Sequence, residues 1–143
     1  MLMTRGLRLL ARALTGSTYA LLGSDAYRSP GGRVDTAGPL LESIREVVPL
    51  PEDDELLVKV NGAVQVVAGT ALALGRLPRL SSAVLVGSLV PTTLAVHPSW
   101  QFDDPSARAT QRVQFHKNLA MIGGLLLVAL DARQADKASR RSS

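Results

Sequence analysis

The stretch VQFHKNLAMIGGLLLVALD, residues 113–131, decides the fold. It sets His116, Lys117 and Asn118 side by side at the start of an almost unbroken apolar run. Residues 125–130 read LLLVAL, so a helix here has no polar stripe to face water, as the helices of small soluble bundles do. A helix that is apolar all round needs lipid or a large protein around it. A chain of 143 residues is too small to surround such a helix with protein on all sides. The stretch therefore predicts a membrane helix.

The amino-acid composition agrees with this prediction. Apolar residues make up 46% of the chain with only one Trp, two Tyr and two Phe, which is typical of packed membrane helices. The absence of cysteine excludes disulfides, thiol redox chemistry and Cys-ligated metals. Two histidines are too few for a metal site built from protein ligands alone, so we predict none. The net charge of +4 is dispersed over segment ends without interleaved aromatic residues, which argues against nucleic-acid binding.

Four segments are apolar and long enough to cross a bilayer as helices, which takes about 20 residues. They lie at residues 7–23, 56–74, 80–96 and 113–130, and the third, without a charged side chain, is the clearest. We predict an all-α fold, an integral membrane four-helix bundle within residues 1–135, with a basic flexible tail at residues 136–143. The protein is expected to be a multi-pass protein of the cell membrane. The first segment also resembles a signal peptide, but Arg8 and Arg12 interrupt it and favour a retained helix.

The connections carry helix and turn signals. Residues 39–48 place apolar side chains on one face, which predicts a short amphipathic helix on the membrane surface or packed onto the bundle. The sequence GRLPR, residues 75–79, is a tight turn that makes the second and third helices antiparallel neighbours. Asp104 followed by Pro105 predicts a helix start. Close helix contacts are predicted at small residues on the second and fourth helices: Gly62, Gly69, Ala120 and Gly124.

Basic residues predict the orientation in the membrane, because short cytoplasmic loops are enriched in Lys and Arg. The N-terminus, the second connection and the C-terminal tail together hold more basic residues than the first and third connections. Both termini are therefore predicted to be cytoplasmic. Arg8 and Arg12, one turn apart on the first helix, are expected to contact anionic lipid headgroups on that side.

This topology brings polar residues of three helices together in the outer half of the bundle. They are Lys59, Asn61, Gln65, Thr92, Thr93, His97, His116, Lys117 and Asn118. Polar groups in hydrocarbon are costly unless they pair, bind a ligand or reach water. The cluster is therefore either a ligand site or a set of hydrogen bonds between helices. Successive residues of a helix point about 100° apart, so His116, Lys117 and Asn118 cannot all face one site.

Four motifs carry a family resemblance: VKVNGA, LGRLPRL, LVPTT and HKNLAMIGGLLL, beginning at residues 58, 74, 89 and 116. They resemble the DoxX family of small four-helix bacterial membrane proteins, in an actinobacterial form. The resemblance implies a four-span bundle in which characteristic polar positions fall on Lys59, Asn61, Pro91, Lys117 and Asn118. The family is named after a subunit of a thiosulfate:quinone oxidoreductase, and related sequences are linked with membrane redox and oxidative-stress assemblies. It supplies no accepted catalytic residue.

Two functions stay open for a chain embedded in the lipid bilayer. A noncatalytic subunit that anchors a redox enzyme partner needs no cofactor, in agreement with the missing cysteines and cofactor motifs. A quinone-binding oxidoreductase subunit would use Lys59, His116 or Asn118 to donate a hydrogen bond to a quinone carbonyl above an apolar cavity. Small-molecule transport is a third possibility, and it would require a homo-oligomer because four short helices form no path by themselves.

Overall fold

The structure, a computed structural model, describes residues 2–96 and 103–141. This described part contains five α-helices and no strand, and the all-α prediction is confirmed there. The helices are α1 (Leu2–Arg28), α2 (Gly32–Arg45), α3 (Asp54–Ala73), α4 (Pro78–Val96) and α5 (Pro105–Arg141). The first and last run past the predicted apolar segments, and residues 136–141, predicted as a tail, have helical backbone. The amphipathic helix begins at Gly32, earlier than predicted, and continues through Pro39.

Local signals define both ends of α3. The Asp53 carboxylate accepts a hydrogen bond from the backbone N–H of Leu56 at 2.9 Å, and acidic residues in the first turn suit the positive end of the helix dipole. At the other end, Gly75 has a φ of 68°, a conformation that glycine adopts without strain. Its N–H donates to the oxygen of Leu72, and the N–H of Arg76 donates to that of Ala71. This Schellman motif ends α3 and turns the chain into α4.

The helix start predicted at Asp104 and Pro105 is confirmed. The Asp104 carboxylate accepts a hydrogen bond from the N–H of Ala107 at 2.7 Å, and α5 begins at Pro105. Proline is favoured at a first helical position because its missing N–H would have no partner within the helix. The quoted stretch thus enters the bundle as a continuation of a helix that begins several residues earlier.

The helices pack side by side in the order α1, α3, α4, α5, each antiparallel to its neighbour, and α2 packs against α3 and α4. We call the end where α1 ends and α3 begins the α2 end. The opposite end, at Gly75, is the turn end. Because GRLPR forms the tight turn there, the antiparallel pairing of α3 and α4 is confirmed.

Glycines bring the backbones of α1 and α3 together. A Cβ atom added to Gly16 would lie 2.4 Å from the oxygen of Gly69, and one added to Gly23 would lie 2.5 Å from the oxygen of Gly62. Any side chain at these positions would force the helices apart. The predicted close contacts are therefore confirmed on α3. The one predicted at Gly124 is wrong, because no atom of the described residues of another helix would lie within 4 Å of an added Cβ there.

Many large apolar side chains lie on the outside of the bundle, while an apolar cluster and several polar side chains are buried inside it. Val67 and Leu127 are 71% and 69% exposed, whereas Gln65 and Thr93 are 7% and 2% exposed. Soluble proteins bury apolar side chains and leave most polar ones in water. Lipid tails are as apolar as leucine side chains, so burying leucine does not drive helices together in a bilayer. Membrane helices instead associate through close packing and hydrogen bonds. The apolar outer surface and the buried polar contacts together indicate a membrane helical protein.

Helix length and hydropathy point the same way. Within the described residues, α3 and residues 105–134 of α5 are long and apolar enough to cross a membrane. Only 33% and 6% of the residues in their apolar windows are buried, whereas the core helix of a soluble protein is mostly buried. Two other predicted spans, α1 and the described part of α4, do not pass the same test. The apolar run of α4, the clearest span by sequence, starts only after Arg79 and two serines.

Candidate functional site

A hydrogen-bond network joins α3 to α4, and Ser88 is its centre. The Ser88 hydroxyl donates to Oδ1 of Asn61 at 2.7 Å and accepts from Nε2 of Gln65 at 2.9 Å. Nδ2 of Asn61 donates to the hydroxyl of Thr92 at 3.3 Å, and that hydroxyl donates to the backbone oxygen of Ser88. We call Asn61, Gln65, Ser88 and Thr92 the polar network.

A separate hydrogen bond joins α4 to α5. Nδ2 of Asn118 donates to the hydroxyl of Thr93 at 3.1 Å, and this hydroxyl donates to the backbone oxygen of Leu89 at 2.6 Å. The Asn61–Thr92 and Asn118–Thr93 contacts have the same geometry. In each, an amide side chain donates to a threonine hydroxyl that itself donates to a backbone oxygen of α4. Asn118 is therefore the member of the quoted trio that faces a neighbouring helix.

The charged members of the predicted cluster lie elsewhere. Nζ of Lys59 is 2.5 Å from a carboxylate oxygen of Glu55, one turn earlier on α3. Nζ of Lys117 donates to Oε1 of Gln114 at 2.8 Å, and Nδ1 of His116 bonds to the backbone oxygen of Arg112 at 2.8 Å. His116 and Lys117 are both exposed. His97 lies outside the described residues. The structure thus joins Asn61, Gln65 and Thr92, pairs Thr93 with Asn118, and leaves the cations apart.

The sequence reasoning missed Ser88, because VLVGSLV was interpreted as an apolar run. A signal was available: Ser88 lies one turn before Thr92 and two turns after Ser81 on one face of α4. A polar stripe on an otherwise apolar helix predicts the face that meets another helix. All three side chains are at most half exposed, and those of Ser81 and Ser88 are buried.

Ion pairs join α1 to α5 near the turn end. The guanidinium of Arg8 lies 2.9 Å from the carboxylate of Asp131, and that of Arg12 lies 3.5 Å from it. The expected contact of both arginines with lipid headgroups stays a prediction, and the structure adds a protein partner for each. Each has a protein partner at the end of the quoted stretch, and pairing lowers the cost of holding a charge near hydrocarbon.

A groove lies between α1 and α5, away from the polar network. It encloses about 390 Å³, which is within the range of small-molecule sites, and it is open along one side. We call it the α1–α5 groove, and its lining is Leu14, Thr15, Thr18, Tyr19, Ala120, Met121 and Gly124. Among the described residues, the hydroxyls of Tyr19 and Ser82 are buried without a hydrogen-bond partner.

The chemistry available to the polar network is limited by its own hydrogen bonds. The two hydroxyls of the network, on Ser88 and Thr92, each donate and accept, and so does the hydroxyl of Thr93 in the separate contact with Asn118. Both amide atoms of Asn61 are bonded as well. Nothing in the network resembles a metal site, since the described residues contain no group of three or more His, Asp or Glu side chains that could hold an ion. The arrangement is suited to joining helices.

Comparison with known proteins identifies the family. The family model for DoxX matches residues 7–98, well over half of the chain, and includes the polar network and the glycine contacts of α1 and α3. Comparisons with curated proteins and with solved structures give no match. The chain belongs to the DoxX family.

Proposed function

We propose that this protein is a noncatalytic membrane subunit that anchors or organises a redox or oxidative-stress assembly. The observation that carries the proposal is the mutual pairing of the polar side chains between α3, α4 and α5. Groups that bind a substrate or quinone should present unpaired donors to a cavity. Here the network and the α1–α5 groove have no residue in common.

We further propose that α1, α3, α4 and α5 cross the cell membrane as a four-helix bundle with both termini in the cytoplasm. The antiparallel order of these helices supports this topology. The excess of basic residues at the turn end and the termini supports the orientation. In that arrangement α2 and the polar network belong to the outer half.

A quinone site remains the alternative function. In that case Lys59, His116 or Asn118 would bond a quinone carbonyl. Their positions favour the first proposal, because Asn118 is paired with Thr93, Lys59 with Glu55, and His116 is exposed on another face of α5. A single ligand would therefore have to reach side chains that already have separate partners or point to different sides of the bundle.

Mass spectrometry of lipid-soluble molecules extracted from the full-length protein in mild detergent distinguishes the two functions. We expect no quinone near one molecule per chain, and we expect Asn118→Ala to lower stability without changing the extract. A stoichiometric quinone that is lost in Asn118→Ala or Lys59→Ala would contradict the proposal. The Lys59→Ala variant separates loss of a ligand from loss of stability more clearly. Lys59 lies outside the polar network, so we expect this substitution to leave the fold stable.

The anchoring role is tested in native membranes by crosslinking the tagged protein, expressed at its natural level, before solubilisation. We expect one crosslinked species that contains a redox enzyme in a fixed ratio to this chain. Detection of this chain alone, as a monomer or homo-oligomer, would argue for transport or for an independent function.

A further inference from the structure

A second concavity adjoins the α1–α5 groove on the surface of α5. Its described lining is Arg112, Val113, His116, Lys117 and Ala120, and we call it the basic concavity. Ala120 lines both depressions, so they meet there. The combined surface is basic toward the α2 end and apolar toward the turn end.

The basic concavity carries uncompensated positive charge. Its described lining has two cationic side chains, those of Arg112 and Lys117, and no acidic one. The partner of Lys117 is the neutral amide of Gln114, which leaves the ammonium charge in place. A carbonyl oxygen can only accept, so Nδ1 of His116 donates to the backbone oxygen of Arg112, and Nε2 of the neutral imidazole is an acceptor.

The apolar half of this surface has room for a flexible chain. Ala120, Met121 and Gly124 form one wall, and Leu14, Thr18 and Tyr19 of α1 form the other. Gly124 has open space where a Cβ would lie, which widens the groove on the α5 side. Ala120 lies on the side of α5 opposite to Asn118 and Leu125, whereas Met121 lies nearer to them and also packs against the buried core.

The length of the surface matches one bilayer leaflet. Gly124 follows Arg112 by twelve residues, which at about 1.5 Å per residue places it about 18 Å further along α5. One leaflet contributes roughly 15 Å of hydrocarbon. A ligand whose charged group lies at Arg112 and whose tail reaches Gly124 therefore spans half a membrane.

We propose that the basic concavity and the α1–α5 groove together bind an anionic phospholipid of the surrounding bilayer. Arg112 and Lys117 hold the phosphate through charge-assisted hydrogen bonds. One acyl chain lies in the α1–α5 groove. The site is separate from the polar network, so this inference goes beyond the anchoring role and does not depend on it.

Native mass spectrometry of the full-length, delipidated protein tests the site. The protein is titrated with phosphatidylglycerol and, separately, with phosphatidylcholine that carries the same acyl chains. We expect one phosphatidylglycerol to bind with at least about tenfold higher affinity, because two basic side chains each favour an anionic headgroup. Equal affinity for the two lipids would overturn the proposal, since it would mean that the headgroup charge is not recognised.

Two pairs of variants separate this site from general effects of charge and surface. Arg112→Gln combined with Lys117→Gln should lower the affinity for phosphatidylglycerol about tenfold, whereas Arg5→Gln combined with Arg133→Gln, with the same charge change near the turn end, should not. Gly124→Leu should fill the groove and weaken binding, whereas Gly123→Leu, also in open space but outside the lining, should not. Equal losses within either pair would refute the assigned position.

Discussion

Removal of one hydroxyl, in Ser88→Ala, should weaken the contact between α3 and α4 more than any comparable change on α4. The substitution deletes the donor to Oδ1 of Asn61 and the acceptor for Nε2 of Gln65. Ser88 and Gln65 are 6% and 7% exposed, so water cannot readily replace the lost partner. The variant therefore leaves buried polar atoms unpaired.

The magnitude follows from the two hydrogen bonds lost. Hydrogen bonds between membrane helices contribute about 0.6 kcal/mol each on average and up to about 1.7 kcal/mol. We therefore expect the free energy of unfolding to fall by about 1–3 kcal/mol. The matched control is Ser82→Ala, which removes the same atom from a serine that is 1% exposed and whose hydroxyl has no partner among the described residues. This control should be neutral or slightly stabilising.

The assay is reversible unfolding in mixed micelles of mild detergent and sodium dodecyl sulfate, followed by far-UV circular dichroism. Ser88→Ala should unfold at a lower fraction of the denaturing detergent than the wild type, and Ser82→Ala should not. If the two variants lose the same stability, the loss comes from removing any buried hydroxyl of α4. The hydrogen bonds of the network would then contribute nothing specific. That result would refute the reasoning for Asn61 and Gln65 as helix contacts.

Three further predictions follow from other contacts. Gly69→Ala places a methyl group 2.6 Å from the oxygen of Gly16 and should lower the free energy of unfolding by about 1–3 kcal/mol in the same assay. Gly87→Ala, where no described atom lies within 4 Å of the added methyl group, should cause no such loss. Similar losses for both would contradict the close approach of α1 and α3. Asp131→Asn removes the partner of Arg8 and Arg12 and should cost roughly 0.2–1 kcal/mol, more at low than at high salt, because these side chains are partly exposed. A loss that does not change with salt would mean that the charges are not the cause. Cysteines introduced in the natively cysteine-free chain at Ser29 and Ser106 should react with a membrane-impermeant thiol reagent from outside, and one at Ser139 should not; labelling of Ser139 in intact cells would invert the proposed topology.

Features that depend on neighbouring residues in the chain could be predicted from the sequence. Asp104 and Pro105 start α5 because a carboxylate cap and a missing N–H are local to one turn. The GRLPR turn likewise follows from the freedom of Gly75 to adopt positive φ. Helical periodicity also predicted that only part of the trio at residues 116–118 could face one site, and the structure divides it between Asn118 and the two exposed cations.

Partners on different helices could not be predicted in the same way. Periodicity gives the angle between two side chains on one helix, but not which neighbour each face meets. Residues four apart on α5, Ala120 and Gly124, suggested a helix contact in the sequence, yet they line an open groove. Gly16 and Gly23, which the sequence did not single out, lie so near α3 that neither has room for a Cβ atom.

The sequence by itself determined that the chain is helical, that it is apolar enough for a membrane, and that its polar residues concentrate toward one end. Only the tertiary structure decided that Asn118 bonds to Thr93, that Ser88 joins Asn61 to Gln65, and that Asp131 pairs with the arginines of α1. The physical reason is the range of the forces. Capping, turn geometry and hydropathy act within a few residues, whereas hydrogen bonds and ion pairs between helices depend on how packing rotates each helix against its neighbour.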